Sequence, residues 1–153
     1  LLQAVQAQHP EGPPLDGHSA LAVLRGEEDA VGGPRYWQWN RYTPVIECNA
    51  AMRDGPWKLV RPRIAEAMVV APEDLEMDRA LKYRPDEFRD IRRDAEPSRQ
   101  LPPPPAPELY NVVEDPLEQH NLAMQEPERV AHMLCALETW FEEVDAERRR
   151  IEA

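Results

Sequence analysis

The side chains here that could do chemistry are four histidines, two cysteines, a group of cations and a run of aromatic rings. His9, His18, His120 and His132 are scattered, with no His-x-x-x-His pair and no neighbouring ligand triad. A metal centre needs several donors converging on one point, so none is expected from this chain. Neither a glycine-rich phosphate loop nor a Gly-x-Ser-x-Gly elbow occurs. Cys48 and Cys135 lack partners at metal or redox-motif spacing. They read as two buried thiols packing as small apolar groups, Cys135 on the flank of a helical stripe. Arg53, Lys58, Arg61 and Arg63 gather positive charge in a chain whose net charge is −11. That charge either pairs with acidic residues of 61–107 or faces an anionic substrate next door. Trp37, Trp39 and Tyr42 either line a sugar or aryl pocket or pack against a helix. The negative balance argues against broad binding to nucleic acid or anionic membranes, both of which need cations.

A few elements must hold these groups. The strongest signal is Ala50-Ala51-Met52-Arg53-Asp54-Gly55-Pro56-Trp57-Lys58-Leu59-Val60, where an Asp-Gly pair separates two alternating runs and specifies a β-hairpin. A type I′ turn is expected, with φ > 0 at Asp54 and Gly55 and with Pro56 opening the second strand. Met52, Trp57 and Leu59 are candidates for the covered face. A lone ribbon is marginal in water and needs an apolar partner.

The C-terminus supplies one. Pro127 stands at a helix start, and Val130, Met133, Leu134, Leu137, Trp140, Phe141 and Val144 recur at helical spacing. Fully buried, they would contribute on the order of 10–20 kcal/mol before entropy is subtracted. Residues 36–42 alternate and read as a strand, as do 108–112. Asp115 as N-cap, Pro116 at N1 and Glu118 at N3 predict one helical turn. Residues 1–8 have helix-forming composition, and 20–25 read as a short helix closed by Gly26. A chain that opens on Leu1, in the tail of a helix, is expected to be a segment of something longer.

Residues 61–107 form a proline- and charge-rich insertion taken to lie over the surface, with helices around 72–82 and 85–93. The run Pro102 to Pro105 is a stiff spacer. No apolar run reaches the ~18 residues of a membrane span. The fold class is α+β, the hairpin and its neighbouring strands under the terminal helix.

Several blocks follow one another in a familiar order. Leu15-Asp16-Gly17-His18-Ser19, Leu24-Arg25-Gly26-Glu27, Tyr36-Trp37-Gln38-Trp39 and the hairpin residues 51–59 come first. Glu108-Leu109-Tyr110-Asn111, Asp115-Pro116-Leu117-Glu118 and Asn121-Leu122-Ala123 then precede the terminal helix. This ordered set resembles the closing third of a sulfatase of the arylsulfatase type. The resemblance implies that 1–25 are the tail of an incomplete catalytic domain. It makes 26–153 a C-terminal subdomain, an antiparallel sheet of about four strands with a long helix on it. Residues 61–107 depart from the commoner, shorter form.

The resemblance further implies hydrolysis of sulfate esters by a formylglycine made from Cys or Ser in a Cys/Ser-x-Pro-x-Arg motif. A divalent cation, usually calcium, would be held by Asp and Asn, with Lys and His assisting. All of that belongs to the missing N-terminal domain. The near-match here is Ala95-Glu96-Pro97-Ser98-Arg99, a decoy, because the methyl group of Ala95 cannot become an aldehyde. Neither cysteine has the motif's context, so no catalytic residue, cofactor or metal ligand is assigned within this chain. Alone it is expected to be inactive, with the missing catalytic domain as its partner.

Its loops are expected to help shape substrate access. Trp39, Asn40, Arg41 and Arg53, polar or aromatic groups near strand ends, are the residues expected to face the pocket. Two other readings stay open. One is a non-catalytic module that binds a protein partner through a sheet edge or the proline run. The other is a remnant of a truncated sulfatase gene.

Overall fold

The computed structural model describes residues 2–8, 11, 17–28, 32–88 and 98–152, in two units, Leu1–Pro34 and Arg35–Ala153. In the first unit, α1 (Leu21–Leu24) ends at Gly26, which takes φ +72°. The Gly26 amide donates to the Val23 carbonyl (3.0 Å) and the Glu27 amide to that of Ala22 (2.9 Å), the paired bonds of a Schellman cap. The helix expected over 1–8 shrinks to a 3-10 turn, Gln3–Val5, closed by Gln6 at φ +54°. Helix nucleation is costly without tertiary packing to offset it, and Gln3, Ala4 and Val5 are all exposed.

The second unit is an antiparallel sheet in the order β1 (Arg35–Gln38), β2 (Ala50–Asp54), β3 (Trp57–Arg61), β4 (Glu108–Asn111). The long helix α3 (Pro127–Glu152) lies on one face. The class is thus α+β, a four-stranded antiparallel sheet with a long C-terminal helix, as the sequence predicts. Register explains which side chains meet that helix. Tyr36 pairs with Met52, Met52 with Leu59, and Leu59 with Leu109, so all four share one face. Ala50, Met52, Leu59 and Leu109 form a buried core with Met133 and Leu137. Trp140 stacks on Tyr36 with centroids 5.1 Å apart and planes 8° from parallel. Of the seven stripe residues only Met133 and Leu137 are fully buried, and Val144 is 48% exposed. These two contribute about 3–6 kcal/mol, well below the value for a fully covered stripe.

The hairpin turn is centred one residue later than the Asp-Gly pair. Asp54 pairs with Trp57, which leaves Gly55 and Pro56 as the turn residues. Gly55 takes φ +54°, and proline, whose ring fixes φ negative, cannot follow it there. The type I′ expectation therefore gives way to the glycine-first pattern of a type II′ turn. Pro56 sits in the turn rather than at a strand start, and its carbonyl accepts the Val112 amide (2.8 Å).

Other ends shift for similar backbone reasons. β1 stops at Gln38 instead of running on to Tyr42, which turns to φ +56°. Residues 115–118 make a β-turn rather than a helical turn, with the Glu118 amide on the Asp115 carbonyl (3.1 Å) and Glu118 at φ +54°. The Asp115 carboxylate instead accepts the His120 amide (2.8 Å). That bond to the His120 amide, foremost, lowers the Asp115 pKa.

In the insertion, α2 (Pro72–Tyr83) forms where expected. Pro85–Glu87 is only a 3-10 turn, and residues 89–93 of the second expected helix lie outside the described residues. The segment does more than lie over the surface: Ile64 and Ala67 are buried with Cys48, and Leu101 packs against them. Cys48 is buried as expected, but Cys135 is exposed. It stands two residues from both Met133 and Leu137, which on a helix is about 200° away from the buried face.

Candidate functional site

Residues of the other parity face away from α3. Arg35 and Trp37 on β1, Ala51 and Arg53 on β2, Lys58 and Val60 on β3, and Tyr110 on β4 share this open face. The register aligns Arg35, Arg53, Lys58 and Tyr110 across the four strands. Lys58 Nζ contacts both Glu118 carboxylate oxygens at 2.7 Å. Arg53 is exposed, its Nε donating to the Gly55 carbonyl (3.2 Å). The Tyr110 hydroxyl donates to Glu108 (2.8 Å). Burial first, and then that bond, pushes the Tyr110 pKa up to about 12.

Two hollows open beside Trp37. One, of about 490 Å³, is bounded by Trp37, Arg53, Lys58, Pro116 and Glu118. The other, of about 570 Å³, has Trp39, Asn49, Arg61 and Arg63 on its rim. Trp37 is 50% exposed and Trp39 64%. Indole faces beside guanidinium and ammonium groups can hold an anionic group attached to a flat or apolar body. Such groups suit binding and orienting a ligand. Among the described residues there is no cluster of three or more His, Cys, Asp or Glu that could hold a metal ion.

Three of the four residues expected to face a substrate come together. The Arg41 guanidinium lies 5.4 Å from the Trp39 ring, within cation–π range. Asn40, between them, turns inward: its Oδ1 accepts from Asn49 Nδ2 (3.3 Å) and from the Cys48 thiol (3.7 Å). Arg53 stands apart. Trp39 lies opposite Asn49, to whose carbonyl its amide donates (3.0 Å), and Arg53 is four residues further along β2. At the strand rise that is about 13 Å.

The expected pairing of cations with the insertion does not hold for Lys58 and Arg61. Lys58 pairs with Glu118 of the 115–118 turn, and Arg61 with Glu138 of α3 and the Ile46 carbonyl. Both acids reach them because β3 lies between α3 on one face and that turn on the other.

The loop after β1 is held by a residue that the sequence presented only as part of a decoy. Arg99 Nη1 donates to the carbonyls of Arg41 (2.7 Å) and Ala67 (3.3 Å), and Nη2 to that of Thr43 (2.9 Å). Its guanidinium lies 5.4 Å from the Tyr42 ring. The Tyr42 hydroxyl donates to Asp74 (2.5 Å) and accepts the Ala71 amide (2.9 Å). The Asp74 bond, foremost, raises the Tyr42 pKa. No local pattern announces Arg99, because its partners are carbonyls 32 to 58 residues away.

No family model and no curated protein matches the chain. Among solved structures it is similar to the sulfatase BT33336S-sulf, from work on the metabolism of multiple glycosaminoglycans by Bacteroides thetaiotaomicron through a versatile core genetic locus. The two are 22% identical with a TM-score of 0.49. The match covers 95% of this chain and 23% of that one, so the chain spans under a quarter of the structure it matches.

Proposed function

We propose that this chain is the C-terminal subdomain of a sulfatase-like sulfuric ester hydrolase, packing on a catalytic domain and shaping access to its substrate. The observation that carries the reading is the uneven cover of the sheet. One face is sealed by α3, while the other presents Trp37, Arg35 and Arg53, with Trp39 beyond the end of β1. Neighbouring exposed indoles mark a surface that meets something else. Cations aligned on one face of a chain of net charge −11 suit an acidic partner surface or an anionic substrate. The ordered sequence blocks that resemble the closing third of a sulfatase supply the nature of the partner. The sheet-and-helix plan agrees with that resemblance.

On this reading the formylglycine and the divalent cation belong to the catalytic domain. The chain's own residues bind and orient. Arg53 draws the anionic end of a substrate toward the open face, and Trp39 with Arg41 offers a flat, charged wall. In the intact hydrolase, Arg53→Ala is expected to raise KM for an aryl sulfate several-fold with kcat retained, the signature of lost uniform binding. An unaltered KM removes Arg53 from the site.

A further inference from the structure

The loop from Trp39 to Thr43 has few regular bonds of its own. It leaves β1 at Gln38 and turns through Tyr42 at φ +56°, a left-handed conformation uncommon for a residue with a side chain. Such a turn directs carbonyls outward, and the 61–107 segment meets them with donors. Arg99 serves the carbonyls of Arg41 and Thr43 together with that of Ala67. The Arg41 amide in turn donates to the same Ala67 carbonyl (3.2 Å). A second tie joins the Tyr42 hydroxyl to Asp74 and to the Ala71 amide at the start of α2.

We infer that residues 64–74 of the insertion, together with Arg99, form a clamp on this loop, with Arg99 as the positioning residue that fixes how Trp39 and Arg41 are presented. The side-chain type fits the task. A planar guanidinium carries five donors in a rigid fork and can serve several carbonyls at once, whereas an ammonium gathers its donors on one nitrogen. Ile64 and Ala67, buried with Cys48, anchor the segment beside the loop it holds. The clamp explains what this stretch adds to a sheet that is already complete without it. Its effect on substrate rests on the proposed reading that Trp39 and Arg41 face the access route; the clamp itself does not.

Amide hydrogen exchange by NMR on the full chain tests this, comparing the parent with Arg99→Ala and with Arg63→Ala, an exposed cation of the same segment. Arg99→Ala is expected to speed exchange at the Arg41 amide by roughly tenfold or more, the scale of one lost charge-assisted hydrogen bond. Met52 and Leu59 should exchange as before, and Arg63→Ala should change none of them. In the intact hydrolase the same Arg99→Ala change should raise KM for an aryl sulfate and leave kcat in place. Unchanged exchange at Arg41 overturns the clamp, whatever KM does. Faster exchange with an unaltered KM upholds the clamp and overturns the substrate-facing reading. Should Arg99→Ala fail to fold, Arg99→Lys serves the same comparison.

Discussion

Tyr110 shows how a single side chain on the open face is defined by its surroundings. It lies on β4 opposite Lys58, only 8% exposed, with its hydroxyl on Glu108. Burial and the neighbouring carboxylate hold its proton, so its folded pKa, about 12, lies above the ordinary value of 10.0. A group whose folded pKa is raised contributes stability that is whole below its unfolded pKa and lost as pH rises through the folded one. The urea midpoint of the parent should therefore fall between about pH 10 and 12, and Tyr110→Phe should make that fall shallower. Equal slopes in the two proteins would contradict the assignment.

At this scale the sequence was readable where one neighbour decides the outcome. Met52 and Leu59 alternate toward a core and are found in it. Glu118 and Arg99 were not readable, because their value comes from partners brought close only by the fold. Lys58 lies 60 residues from Glu118 in sequence.

At the scale of elements, the hairpin and the terminal helix were the most legible parts, since each repeats its own period over many residues. Their ends were less so. The hairpin exists as the sequence predicts, but the position of proline decides which residues turn. Gly55, at φ +54°, has nothing within 4 Å of where a Cβ would stand. Gly55→Ala therefore meets no clash and reports backbone strain alone, expected at about 1–2 kcal/mol of destabilisation by chemical denaturation. Gly55→Asn should cost less, because asparagine tolerates the left-handed region. If alanine and asparagine cost nothing, the turn is not the one described.

The short elements failed for a common reason. Residues 1–8 and 115–118 carry the right residue types for a helix, but neither has an apolar face long enough to be covered. In 115–118 the Asp115 carboxylate finds a better partner in the His120 amide, and Glu118 leaves helical space to meet Lys58.

At the scale of the molecule, the Arg35–Ala153 unit is two layers, a sheet and a helix, with the second face of the sheet left uncovered by α3. Its helix covers one side of the sheet, and cations and indoles line the other. The α+β plan was legible because each strand's alternation and the helix's stripe point to the same core. The candidate site was only half legible. Trp39 and Arg41 do meet, but for Trp37, which borders both hollows, the sequence leaves pocket lining and helix packing both open. Aromatic residues on a strand do not declare by type which face will be covered, and only the register settles it.

Hydroxyl-radical footprinting of Trp37 tests the central claim most directly, comparing this chain with the longer hydrolase to which the proposal assigns it and using Met124, 94% exposed, as the reference. The account predicts that Trp37 is labelled several-fold less in the intact protein while Met124 is labelled alike in both. Equal labelling of Trp37 in the two would mean that no catalytic domain covers the open face, and would contradict the account.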